Sequence, residues 1–533
     1  MMAVPMMGKE ASPGLVVVAS VSWAHPPSQP SGSRPHASAM IDPIVLQRTH
    51  RRYHDRAPSC IMARVRVRSL RFCLVAICGL FSCSAPSPRP QLLVIVDTDL
   101  ATLSAAIQGP GLAADVSVDA LRVDVLAPDG SVTEFREFVA PSRADWPISF
   151  AVPSADAPVL LRLRAYRSSL GTPTLENDVT TIEPALVTTV DRFVLLPRPT
   201  SGISAARITL HGDCINRPVS FLGGLSHCLD ADHLTTSLLD GGIEVSSDTS
   251  TRASVTGTWA HGKEEPCSAS APVGTICIPG GMTLLGDAAI NGVLGATLPY
   301  RLAYVRPFFV DQTEFTVKRY RQLLNAHKIA YLPTSVVVAN DKTYCSFVSA
   351  ATASADRYPL NCISKAAAMA ACHAEGGKLV TEAQFERAAG GREHRPFPWG
   401  DTPASCCTAD LSRTAASTAA ECKGSPLDHA GSHTSGSACA AGGPADESRD
   451  GVLDLGGSLR EIVLDGYHDY SEPCWSWAGF ATDPLCSIAG DGAATKGAAW
   501  DDSLASPSIA RHLAATPPFD DMGFRCAYQG TTP

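Results

Sequence analysis

The stretch MARVRVRSLRFCLVAICGLFSC, residues 62–83, constrains this chain most, because it decides the compartment in which everything after it must fold. Arg64, Arg66, Arg68 and Arg71 form a basic segment and residues 72–81 a short apolar core, the pattern of a secretory signal. A run of about ten apolar residues is too short to span a bilayer, which takes roughly twenty. Of the eighteen cysteines, fourteen lie beyond Cys83. An even number of thiols bound for an oxidising compartment predicts disulfides.

Upstream, residues 1–61 are rich in Pro, Ser, Ala and His without an apolar period, and read as disordered or as translation from a start codon placed too far upstream. The signal ends in Leu80, Phe81, Ser82 and Cys83, which resembles a bacterial lipobox with Phe81 bulkier than the pattern prefers. Cys83 is therefore the expected lipidation site, with residues 84–91 as a Pro/Ser tether and an exported, membrane-anchored lipoprotein as the product, periplasmic or at the cell surface. Ten Lys/Arg and three Asp/Glu precede Cys83, leaving 33 basic against 49 acidic residues, a formal charge of −16. So acidic a surface argues against nucleic acid as a partner.

Residues 92–239 read as β. Short apolar or alternating runs, LLVIV, LRVDVL, ISFAV, VLLRLRAY and VDRFVLL, are separated by turn-rich text such as PDG at 128–130. The alternation in LLRLRAY puts Leu and Ala inward and Arg outward on a sheet with one wet face, which predicts a small antiparallel all-β sandwich. Cys214 and Cys228 flank a loop that they are expected to staple. Residues 240–276, poor in large apolar side chains and rich in Ser, Thr, Gly and Asp, read as a linker. A second domain is expected over 277–533. In it, KAAAMAACHAEGG reads as a short buried helix closed by Gly376 and Gly377, and TEAQFERAA as a second helix with Thr381 at its N-cap.

Seven blocks in this second region carry a resemblance: CIPGGMTLLGD, VRPFFVDQTEFTVKRYRQLL, YPLNCISKAAAMAACHAEGGKLVTEAQFERAAGG, FPWGD, GVLDLGGSLREIVLD, KGAAW and MGFRCAY. Their order resembles that of the formylglycine-generating enzyme, or sulfatase-modifying factor, family. The resemblance implies a compact α+β, C-type-lectin-like fold with long loops and little regular structure. It also implies a Cys372–Cys526 disulfide tying the first helix to the last strand.

Catalytic members of that family hold Cu(I) between two cysteines five residues apart and use it to activate oxygen for oxidation of a substrate cysteine. Here Gly497, Ala498, Ala499 and Trp500 hold the places before the first thiol, and Asp502 and Pro507 stand where the two cysteines belong. Asp is a hard ligand that suits Cu(I) poorly and Pro offers none. Ala499 replaces the serine the family uses beside the reacting centre. The resemblance further implies structural Ca2+, held by Asp454, the carbonyls of Gly457 and Leu459, and Glu461, with Ser458 and Arg460 in place of the usual Asn and Trp. A second ion would lie on Asp410 and the carbonyl of Leu411. These are the oxygen donors that a hard cation takes.

His429 and His433 stand at i, i+4, but the glycines between and after them argue against a helical metal pair. Cys406, Cys407, Cys422 and Cys439 read as staples of a divergent loop, with a zinc cluster as the rival, and Cys474 with Cys486 as a further pair. The expected function is a noncatalytic binding or scaffolding module for a protein or glycan ligand. The competing expectation is a formylglycine-generating or related oxygen-dependent enzyme acting on sulfur substrates.

Overall fold

The computed structural model describes residues 90–529, except 109–110, 153–156, 177–178, 198–201, 222–223, 239–242, 251, 269, 288–296, 334–343, 349–354, 406, 414–429, 431–445, 489–491, 505–508 and 510–512. Cys83, Cys406, Cys422, Cys439, Pro507, His429 and His433 lie outside the described residues, as does the whole signal segment. No described helix is long and apolar enough to cross a membrane.

The N-terminal half is built from two four-stranded sheets. One runs Glu244–Ser246, Ile203–Leu210, Gln91–Thr98, Ile148–Val152, and the other Val132–Val139, Ala120–Leu126, Val159–Tyr166, Val190–Leu196. Period-two alternation turns Leu92, Val94, Val96, Leu121, Val123, Leu161, Leu163 and Ala165 into the space between them, where they form one core. The pairing is not wholly antiparallel, because Gln91–Thr98 lies parallel to Ile203–Leu210.

The face expected to be wet is covered. Arg122 faces Arg164, and Asp124 faces Arg162, across neighbouring strands. Arg122 Nε donates to Asp124 Oδ1 at 2.9 Å, Arg164 Nη2 lies 2.5 Å from Asp124 Oδ2, and Arg162 Nη2 lies 2.6 Å from Asp191 Oδ2. Arg164 also reaches Glu183 on the hairpin of Thr172–Glu176 and Val179–Glu183. An alternating strand tells which residues leave the core; it does not tell whether a hairpin and a ladder of opposite charges will cover them.

Residues 240–276, expected as a linker, are packed into the same unit. Glu244–Ser246 pairs with Ile203–Leu210, the Asp97 carboxylate accepts the Ser254 hydroxyl and the Val255 amide, and Trp259 is 5% exposed in the first core. The Trp259 indole donates to Asp213 Oδ1 at 2.9 Å. Met282, Leu284 and Leu302 from the second half join that core too, so the described residues form one compact unit.

The second half is α+β. Strands Thr275–Ile278, Phe308–Asp311, Cys526–Tyr528 and Lys378–Leu379 make one sheet, and Leu513–Ala515, Ala493–Lys496, Arg460–Gly466 and Met522–Gly523 another. Counting Leu103–Gln108 in the first half as α1, the helices here are α2 (Val317–Asn325), α3 (Lys365–Ala374) and α4 (Glu382–Gly390). Each of these three is opened by a hydroxyl cap: Thr316, Ser364 and Thr381 accept from the amides of Arg319, Ala367 and Gln384. Thr381 and Gln384 complete a capping box, and Gly376 takes φ 82° just past α3, which a side chain would resist. Cys372 and Cys526 join α3 to the last strand, with sulfurs 2.00 Å apart.

Candidate functional site

Strand Ala493–Lys496 delivers the chain to Gly497, whose φ of 73° and closeness to the Leu455 carbonyl admit no side chain. Ala498 and Ala499 follow, fully buried, and Trp500 packs edge-on against Tyr344. A tight turn then brings Asp502 back, so that its amide donates to the Ala499 carbonyl at 2.9 Å and its Oδ2 accepts the Ala499 amide at 2.8 Å. Arg460, at the start of Arg460–Gly466, places Nε 3.6 Å from Asp502 Oδ2 and also pairs with Asp521. Beside this cluster lies a cleft of about 350 Å3 lined by Arg460, Thr516, Phe519, Asp521 and Met522 with Ala514 and Ala515.

The arrangement explains two departures together. The residue in the place of the family's tryptophan, Arg460, is the partner of the residue in the place of its first copper thiolate, Asp502. A carboxylate that accepts a backbone amide and lies beside a guanidinium is a hard ligand, and the copper that the family implies does not fit it. Nor is a spare thiol available among the described residues, where every cysteine is disulfide-bonded. Cys214–Cys228 and Cys474–Cys486 are paired, and two further bridges, Cys267–Cys277 and Cys345–Cys362, had no signal beyond the parity of the cysteine count.

The segment named for calcium abuts the same site, since the Ser458 amide donates to the Asp410 carbonyl and the Trp500 amide to the Ser458 carbonyl. Its charges are distributed differently from the expectation. Both oxygens of Glu461 are taken by Arg525, whose Nε lies 2.7 and 2.8 Å from them. The rest of that guanidinium donates to the carbonyls of Asp311, Leu453 and Asp454 at 3.2, 3.0 and 3.2 Å. Burial lifts the Glu461 carboxyl above its ordinary range and the Arg525 charge opposes the rise. Asp410 is likewise paired, with Arg413 Nη2 at 2.6 Å. Leu459 and Leu411 are buried, and Gly457 has its α-carbon pressed against the Asp410 backbone, where a Cβ would come within 2.9 Å.

Glu461 and Asp410 are therefore not open to a cation as the chain is folded. Glu314 is fully buried with the Ser458 side chain beside its carboxyl, and burial together with the Asp454 charge pushes its pKa well up. Asp454 itself sits at φ 57° and is 4% exposed. Among the described residues no group of three or more His, Cys, Asp or Glu side chains is gathered to hold a metal.

An α+β domain of short sheets and three capped helices, with the Gly497–Trp500 turn laid against the Asp454–Glu461 segment, defines a sulfatase-modifying-factor type of protein. Residues 263–529, half of the chain, match the family described as "Sulfatase-modifying factor enzyme 1-like domain", and the chain belongs to it. Among solved structures it is similar to PvdO from Pseudomonas aeruginosa, with 16% identity and a TM-score of 0.36 over 50% of this chain and 99% of PvdO. It is similar also to Treponema denticola variable protein 1 (15%, TM-score 0.33, 50% of this chain and 95% of that one) and to CarF (16%, TM-score 0.32, 49% and 99%). No curated protein matches the chain.

Proposed function

We propose that this chain is an exported, lipid-anchored protein whose sulfatase-modifying-factor domain binds or scaffolds and does not oxidise cysteine. One observation carries the reading: Asp502, in the position of the first copper thiolate, is tied to the Ala499 amide and to Arg460. A formylglycine generator needs two soft sulfurs there, and neither Asp502 nor Pro507 supplies one. The cleft beside Arg460, lined also by its ion-pair partner Asp521 and by Phe519, supports a role in holding a protein or glycan ligand. Cys83 would carry the lipid, and replacing it by Ser should release the protein from the membrane fraction.

Calcium in this reading is structural and lies on the Asp454–Glu461 segment, where it would compete with Arg525 for Glu461 and with Arg413 for Asp410. Bound there, the ion would supply no redox chemistry.

The test is direct. The purified protein, given Cu(I), a reductant, oxygen and a cysteine-bearing peptide, should leave the peptide mass unchanged. Conversion of the thiol to an aldehyde would overturn the reading and restore the enzyme. Asp502→Cys with Pro507→Cys should gain Cu(I) affinity, which checks the alignment of the block independently of turnover.

A further inference from the structure

Inside the second half, a different set of buried groups meets. Lys496, Glu382, Glu386 and Tyr470 are each at most 1% exposed. Lys496 Nζ lies 2.5 Å from Glu386 Oε1, 3.7 Å from Glu382 Oε2 and 3.4 Å from the Tyr470 hydroxyl. The hydroxyl bridges the two acids, 2.7 Å from Glu386 Oε1 and 3.2 Å from Glu382 Oε2. The other oxygen of Glu386 accepts the Gly286 amide at 3.0 Å.

We propose that Lys496 and Glu386 condense into an intramolecular isopeptide bond. Each part of the reaction has a residue in place. Transfer of a proton from the Lys496 ammonium to Oε1 of Glu386, 2.5 Å away, gives a neutral amine and a neutral acid. Nζ then attacks Cδ of Glu386, forming the C–N bond, while the Gly286 amide holds the oxygen on which charge develops. Glu382 takes the second proton from nitrogen and returns it, through the Tyr470 hydroxyl, to Oε1. The C–Oε1 bond breaks and water leaves. One ammonium and one carboxylate become one amide and one water; nothing is oxidised or reduced, and no cofactor is required.

Two features favour the product over the ion pair. In water the solvent drives an amide back towards acid and amine, whereas here both groups are withdrawn from it. Holding the two groups in contact also supplies an effective concentration on the order of 10⁵–10⁸ M for well-oriented pairs. The bond would close residues 387–495, including the divergent loop and the Asp454–Glu461 segment, into a ring that survives reduction of every disulfide.

Peptide mapping of the full chain decides it. After reduction and trypsin, Leu379–Arg387 should be found joined to a peptide in which Lys496 is uncleaved, with a combined mass lower by one water, and fragmentation should place the junction on Glu386. Recovery of free Leu379–Arg387 together with cleavage after Lys496 would overturn the proposal, and a junction on Glu382 would overturn the assigned acceptor. Glu382→Gln, shown to be folded by its near-ultraviolet circular dichroism, should restore cleavage after Lys496. Full cross-linking in that variant would remove Glu382 from the mechanism.

Discussion

Replacing Arg525 by Met keeps most of the side-chain volume and deletes the charge at the centre of the domain. Arg525 is 0% exposed, and its guanidinium serves Glu461 and the carbonyls of Asp311, Leu453 and Asp454. The variant leaves Glu461 buried without its partner and those carbonyls without this donor. Removing one member of a buried pair costs about 3–5 kcal/mol, because the remaining charge is uncompensated. Urea unfolding followed by circular dichroism should show a loss of that size. Glu461→Leu added to Arg525→Met should lose less than the single variant, since it deletes the stranded charge. The deficit should also depend on pH. Without Arg525 the folded-state pKa of Glu461 rises further above its unfolded value, so the stability it contributes is present in acid and disappears as pH rises; the deficit should be larger at pH 8 than at pH 5. A single variant within about 1 kcal/mol of the parent, or a double variant as unstable as the sum of the singles, would refute the reasoning.

Cys372 and Cys526 are 154 residues apart, and loop entropy assigns a bridge of that span about 5 kcal/mol; Cys372→Ala should lose a large part of it in urea, and unreduced peptide maps should show the two linked. His227 is 2% exposed, neither ring nitrogen has a partner among the described residues, and burial, aided by the Arg192 charge, lowers its pKa to about 4. A depressed histidine stabilises fully above its unfolded pKa, so about 3 kcal/mol should be lost as pH falls from roughly 6.5 through 4, and His227→Phe should flatten that slope in urea midpoints. Calcium at about 100 times its dissociation constant should add about 2.7 kcal/mol and raise Tm, a gain that Asp454→Asn should abolish.

What the sequence displayed well was local. The caps at Thr381 and the glycine after α3 are decided within a few residues, by a hydroxyl reaching an amide three positions on and by a backbone angle that favours Gly. Alternation located the strands of the first half because burial repeats every second residue. The Cys214–Cys228 and Cys474–Cys486 loops were short enough to suggest themselves, whereas the Cys372–Cys526 bridge came from family resemblance. Partner choice over long distances was not legible. Nothing near Glu461 announces that Arg525, 64 residues later, takes both of its oxygens, and nothing in LLRLRAY announces the hairpin that covers its arginines. The low apolar content of residues 240–276 suggested a linker because it hides how much a single Trp259 and one Asp97 carboxylate can anchor.

The departures from the family pattern become intelligible when they are paired in space. Arg460 and Asp502 are 42 positions apart and each, taken alone, is only a mismatch; in the fold they neutralise one another at the edge of a cleft. Ser458, where the family has Asn, occupies φ 68°, a left-handed conformation that Asn tolerates better, and it is held there by its amide on the Asp410 carbonyl. A site whose soft ligands had merely been lost would leave the surrounding frame unchanged. Arg460 lies opposite Asp502, so that replacing Asp502 by Cys would set a thiol beside an arginine that has lost a partner. That coupling makes Arg460 the position to restore together with the cysteines in any attempt to recover copper binding: Arg460→Trp with both cysteines should bind Cu(I) more tightly than the cysteines alone. Equal affinity in the two variants would mean that the ion pair and the loss of the thiols are unrelated events.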